Sequence, residues 1–105
     1  MFLMNSPVLP NDGVFRLSGA LSLAAARLLI KPGFESAIGH SATAALLTHL
    51  LSVNVPEKRQ QVRFACGDQA LVFRLKQRLP EGFVVNDAAQ LARIPYDFAL
   101  LERLE

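Results

Sequence analysis

The sequence predicts a single α/β domain in which a mixed β-sheet is flanked by helices. Three observations predict it. Two stretches carry apolar residues at helical spacing, Leu21, Ala24, Ala25, Leu28 and Leu29 in the first and Leu46, Leu47, Leu50 and Leu51 in the second. Around them lie short apolar or alternating runs closed by proline, glycine or asparagine, the punctuation of strands and turns. One such run, residues 69–75, is apolar on both sides, with Leu71, Phe73 and Leu75 on one face and Val72 on the other. A strand of that kind belongs inside a sheet covered on both faces. With 105 residues the chain is one domain, 1–105, with room for one modest core.

Taken in order, Phe2-Leu3-Met4 reads as a short buried strand, ended by Asn5-Ser6-Pro7. Pro7, Pro10 and Asn11-Asp12-Gly13 make a turn-rich connection. Val14-Phe15-Arg16-Leu17 is a second strand, after which Ser18 is placed to cap the first helix. Lys31, Pro32 and Gly33 break that helix, and the leucine-striped one follows, with Thr43 and Ala44 extending its stripe toward the start. Val53-Asn54-Val55-Pro56 leaves the helical period, and residues 57–61 form a polar loop. Val62, Phe64 and Cys66 alternate with Arg63 and Ala65 as a half-buried strand, joined by a Gly67-Asp68 hairpin turn to the strand over 69–75. Residues 76–82 are a loop, Phe83-Val84-Val85 an extended run, and Asn86 or Asp87 caps a short helix over 88–93 stopped by Ile94-Pro95. The apolar tail over 96–104 fits a last strand or a helix, the strand being preferred.

Composition narrows the function. A hydrophobic fraction of 51% argues for an ordered globule with apolar surface to spare for an oligomer. A net charge of +2 is too weak for a broad face binding duplex DNA, and suits a small anion met by a few arginines. One cysteine, Cys66, and two histidines without metal-ligand spacing argue against an internal disulfide and a structural metal. The apolar run over 19–30 is interrupted by Arg27 and too short to span a membrane, and the start has no basic flank of a signal peptide. A cytoplasmic protein is expected.

The stretch richest in chemistry is Ser36-Ala37-Ile38-Gly39-His40-Ser41-Ala42-Thr43, at the first turn of the second helix. The first N–H groups of a helix lack internal partners and favour an anion such as phosphate. A histidine beside them suits proton transfer at that phosphate, because imidazole ordinarily titrates near neutrality. The plainer reading makes His40 a solvated or capping residue, Gly39 a backbone hinge and Ser41 an N-cap. Arg59 and Arg78 lie in loops where their forked guanidinium groups are free to hold phosphate, whereas Arg63 and Arg74 lie within strands. Glu81, between Pro80 and Gly82, suits either a surface pair with Arg78 or the orientation of a histidine or ribose hydroxyl. There is no Gly-rich phosphate loop, Cys/His cluster or nucleophile elbow.

Five pieces carry a family resemblance: Leu3-Met4-Asn5, Ser36-Ala37-Ile38-Gly39-His40 with Thr43, Arg59 after Val55-Pro56, Gly67-Asp68-Gln69-Ala70-Leu71, and Arg78-Leu79-Pro80-Glu81-Gly82. In that order they resemble the type III anti-CRISPR ring nucleases, small proteins first known from crenarchaeal viruses and later found in phages, integrative elements and bacteria. The resemblance implies a homodimer that binds cyclic tetra-adenylate, the second messenger of type III CRISPR complexes, in a pocket on the two-fold axis. It implies metal-independent cleavage, with no cofactor, to linear di-adenylate bearing 2′,3′-cyclic phosphate ends. By position, His40 is the general acid, Glu81 positions it or the attacking hydroxyl, Arg78 and Arg59 hold phosphate and Asn5 contacts the ligand. Gly39, Ser41 and Thr43 complete the contacts at the helix tip. Viral members carry a hydroxyl residue three positions after the asparagine, where this chain has Val8. That departure keeps open a sponge that binds a cyclic oligonucleotide without cutting it, beside a regulatory dimer that binds RNA or protein.

Overall fold

The structure, a computed structural model, describes residues 1–6, 11–76 and 95–105. Strand β1 (Phe2–Met4) is followed by β2 (Phe15–Leu21), helix α1 (Leu23–Ile30), β3 (Glu35–Ser36), helix α2 (Ser41–Leu51), β4 (Gln69–Leu75) and β5 (Tyr96–Arg103). The strands form one mixed sheet in the order β2-β5-β4-β1-β3. β1 pairs in parallel with both β3 and β4, whereas β5 runs antiparallel to β4 and β2. The path from β3 through α2 to β4 therefore crosses over β1, the kind of excursion that parallel neighbours require.

Alternation along the strands divides the sheet into two faces. One face presents Leu3, Leu71, Phe73 and Phe98 to Ala26 and Ile30 of α1 and to the leucine side of α2. Phe73 lies 5.4 Å from Phe98 and 5.6 Å from Tyr96 between ring centres, a packed aromatic trio. The opposite face carries Ala70, Val72 and Leu101, with Phe2, Met4 and Phe15, under Val62 and Phe64. As its two-sided composition predicts, β4 is central and covered on both faces. Both described helices share one face, however, and an extended segment covers the other.

That segment is where the half-buried strand over 62–66 was expected. Val62 and Phe64 are buried and Arg63 and Ala65 exposed, so the alternation holds. The segment is nonetheless not a strand of the sheet, because side chains satisfy its backbone. Phe64 donates its N–H to Asn11 Oδ1 at 2.8 Å, while its carbonyl accepts from Asn11 Nδ2 at 3.2 Å and Arg103 Nη1 at 2.5 Å. Asn11 thus serves as a one-residue ladder partner. The Phe64 ring stacks on Phe2 at 5.6 Å, an arrangement that anchors the segment to the sheet. Gly67, at φ +89°, makes the turn into β4 as expected, but the turn joins this segment rather than a hairpin strand.

Other differences are local. β2 continues through Ser18 to Leu21, so the cap of α1 is Ser22, whose Oγ accepts from Ala25 N at 3.1 Å. The buried stripe shifts accordingly to Ala26 and Ile30, leaving Leu28 69% exposed. β3, only two residues long, was not anticipated. The tail forms a strand, β5, as preferred. The expected run over 83–85 and helix over 88–93 lie outside the described residues. Across β2, β5 and β4, Arg16 Nη2 lies 2.9 Å from Glu102 Oε1 and Gln69 Nε2 lies 3.1 Å from Oε2. The hydrogen bond from Arg16, then that from Gln69, holds the Glu102 carboxyl below the ordinary carboxylate range.

Candidate functional site

β1 and β3 run parallel, so Met4 and Ser36 finish at the same end of the sheet, and α2 starts there. In open α/β sheets the carboxyl ends of parallel strands are where ligands are bound. Asn5 follows β1 at this end and is exposed. Gly39-His40-Ser41 follows β3. The chain thus brings Asn5 and the Gly39-His40 stretch, thirty-odd residues apart in sequence, to one rim.

His40 itself is the N-cap of α2. Its backbone is extended, at φ −135° and ψ 124°, and its carbonyl accepts from Ala44 N at 3.0 Å. Its side chain makes no capping hydrogen bond and is exposed. Among the described residues, no side chain caps the N–H groups of Ser41, Ala42 and Thr43 at the positive end of the helix. Ser41, expected as a cap or a ligand contact, is the first helical residue and is exposed, because the chain leaves its extended path one residue earlier. Thr43 is 4% exposed and lies on the same side as the buried Ala44, so it belongs to the packed face of the helix.

Arg59 reaches this tip from the loop after α2. Its side chain lies across Gly39: a Cβ on that glycine would sit 3.3 Å from Arg59 Cβ and 3.4 Å from its Cγ and Nε. Arg59 is exposed and, among the described residues, forms no ion pair. A cation so placed, beside the first amides of the helix and an exposed imidazole, is an arrangement able to receive an anion.

The loop owes its course to β3. Ser36 Oγ donates to the Pro56 carbonyl at 2.7 Å and accepts from Ile38 N at 3.3 Å. Lys58 N donates to the Ile38 carbonyl at 2.8 Å, and Gln60 Nε2 to the Ser36 carbonyl at 2.5 Å. Lys58 Nζ also lies 3.6 Å from Glu35 Oε1, but both side chains are more than half exposed, so that pair contributes little. Sequence reasoning gave Ser36 and Gln60 no part in placing Arg59. The one available signal was Gly39 itself, a residue without a side chain where another side chain must pass. Arg78 and Glu81, expected in the site, and Val8, where the family hydroxyl was expected, lie outside the described residues.

Comparison with known proteins is consistent with this architecture. The family model described as STIV B116-like matches residues 1–98. The chain is 35% identical over 106 residues to uncharacterized protein 26 of Sulfolobus islandicus filamentous virus, covering 97% of this chain and 90% of that protein. It is 43% identical over 72 residues to uncharacterized protein ORF117 of Acidianus two-tailed virus, covering 69% of this chain and 62% of that protein. A bacterial relative, uncharacterized protein YddF of Bacillus subtilis, is 33% identical over 72 residues, covering 69% of this chain and 66% of that protein. Among solved structures, B116 of Sulfolobus turreted icosahedral virus superposes with a TM-score of 0.72 over 97% of both chains, at 24% identity, a likeness of fold. No helix among the described residues is long and apolar enough to cross a membrane.

Proposed function

The chain belongs to the STIV B116-like family, and on that premise we propose that it is a metal-independent ring nuclease acting on cyclic tetra-adenylate in the cytoplasm as a homodimer. The observation that carries this reading is the meeting at one helix tip of an exposed His40, the first amides of α2 and the Arg59 side chain laid across Gly39. The sequence pieces Ile38-Gly39-His40 and Arg78-Leu79-Pro80-Glu81-Gly82 support it through the resemblance to ring nucleases.

The chemistry required is modest. A ribose 2′-hydroxyl already sits beside its own phosphate, so the protein has to fix an in-line geometry, neutralise charge and supply a proton. In this mechanism the 2′-hydroxyl gives up its proton to solvent as its oxygen forms a bond to phosphorus and the bond to the 5′-oxygen breaks. His40 gives its proton to the departing 5′-oxygen, and a 2′,3′-cyclic phosphate remains. The amides of Ser41 and Ala42, with Arg59 and Arg78, hold the phosphate oxygens; Asn5 contacts the ring, and Glu81 orients His40 or the hydroxyl. Two copies about a two-fold axis would cut opposite phosphates of a symmetric ring, giving two linear di-adenylates.

The test is to incubate the purified protein with cyclic tetra-adenylate in EDTA and follow the products by chromatography. Di-adenylate with cyclic phosphate ends is expected, and an intact ring after long incubation with excess protein overturns the reading. Val8, in the place of the family's hydroxyl, favours one second reading: a sponge. Its signature is tight binding, equal in wild type and His40→Ala, with turnover in neither.

A further inference from the structure

Residues 55–60 run beside β3 and the residues after it, yet among the described residues a single backbone-to-backbone hydrogen bond, Lys58 N to the Ile38 carbonyl at 2.8 Å, joins them to that stretch. Side chains make the remaining attachments. Thr48 Oγ1, on α2, accepts from Val55 N at 2.9 Å and donates to the Ala44 carbonyl at 2.9 Å, tying the start of the segment to the helix. The Ser36 hydroxyl, on a residue only 4% exposed, receives the next turn through Pro56. The Gln60 amide then returns to the carbonyl of that same Ser36. Arg59 sits between two pinned neighbours, Lys58 and Gln60, and its side chain lies along Gly39.

From this geometry we infer that Ser36 and Gln60 are positioning residues that set the aim of Arg59 at the tip of α2. A solvated arginine samples many rotamers, and holding one costs conformational entropy. Fixing the backbone on either side of Arg59 removes part of that cost before an anion arrives, which is the gain of preorganisation. Ser36 suits the task because one hydroxyl serves as donor to the incoming segment and acceptor for the outgoing β3 backbone. The inference rests on the ring-nuclease reading for what Arg59 holds, but not for the contact itself.

The test follows the Arg59 Nε–H resonance in the ligand-free, nitrogen-15-labelled full chain, assigned by its loss in Arg59→Ala. Ser36→Ala and Gln60→Met, the latter keeping chain length without a donor, are expected to move that resonance, because the side chain no longer lies against Gly39. Ser36→Thr, which keeps the hydroxyl, is expected to retain it. An unmoved resonance in folded Ser36→Ala and Gln60→Met overturns the inference; should Ser36→Ala not fold, Gln60→Met decides alone. In a His40→Ala background each loss should also weaken cyclic tetra-adenylate binding about three- to tenfold, the ratio one hydrogen bond carries, and no further once Arg59 is alanine. A loss that adds fully to that of Arg59→Ala also overturns it. If the resonance behaves as stated while wild type neither binds nor cuts the ring, the ring-nuclease reading fails and the positioning role stands.

Discussion

Gly39→Ala separates the stability of the tip from its use. The glycine is not at positive φ, so alanine is allowed by the backbone. The new Cβ would sit 3.3 Å from Arg59 Cβ and 3.4 Å from Nε, inside ordinary carbon contact of about 3.5–4.0 Å. The nearest atom, Arg59 Cβ, moves only with its backbone, so relief takes a shift of a few tenths of an ångström in the exposed Arg59 segment together with a turn of the side chain. Restricting the unfolded chain offsets such a cost by about 0.4–1 kcal/mol, which leaves net stability within about 1 kcal/mol of wild type. Binding responds differently, because a charge-assisted hydrogen bond is worth about 1.5–3 kcal/mol and depends on aim. A guanidinium displaced from the tip should weaken cyclic tetra-adenylate binding at least about tenfold. Urea unfolding and calorimetric titration, both in a His40→Ala background, measure the two quantities. Unchanged affinity in a stable protein would refute the idea that Arg59 acts where it lies across Gly39, as would an affinity loss accounted for by unfolding.

Three further expectations concern His40, Phe64 and Glu102. His40→Ala should leave stability within about 0.5 kcal/mol, since the side chain is exposed and caps nothing; it should lower ring cleavage by about 10²–10⁴-fold in a chromatographic assay while binding persists. Phe64→Ala should cost about 3–5 kcal/mol by urea titration, because Phe64 is 2% exposed and stacks on Phe2; a cost below about 1 kcal/mol would show that the covering segment lies outside the core. Glu102 has a folded pKa lowered by Arg16 and Gln69, so its contribution is present above the ordinary carboxylate value of 4.5 and disappears as pH falls through the lower folded value. Arg16→Met should flatten that part of an acid stability curve, and an identical slope in both proteins would count against the pairing.

How much was legible depended on whether the deciding contact was local. Leu46, Leu47, Leu50 and Leu51 announce α2 because their period alone identifies the buried side, and all four are buried. The two-faced composition of residues 69–75 likewise placed β4 in the middle. The first helix was misphased because Ser18 and Ser22 are both competent caps, and only the pairing of β2 with β5 through Leu21 chooses the second. The segment around Phe64 shows the alternation of a strand, but its hydrogen bonds come from Asn11, 53 residues away, and Arg103, 39 residues away. No pattern within the segment encodes that. At the site, the tip of α2 and His40 were readable from the break at Pro32-Gly33, whereas the approach of Arg59 depends on Ser36 and Gln60, whose spacing has no periodic signature.

The two ends of α2 are treated unequally. Arg27, from α1, closes a fork on the Leu50 carbonyl with Nε at 3.0 Å and Nη2 at 2.8 Å, and Ser52, at φ 58°, ends the helix in a left-handed turn. The rear of the rod is thus clamped, and its middle is bolted to the neighbouring loop by Thr48. Its front, by contrast, receives no side-chain cap among the described residues. If the proposed anion binds there, it meets the first amides of a rod held at its rear, so little of the helix has to be rearranged to receive it.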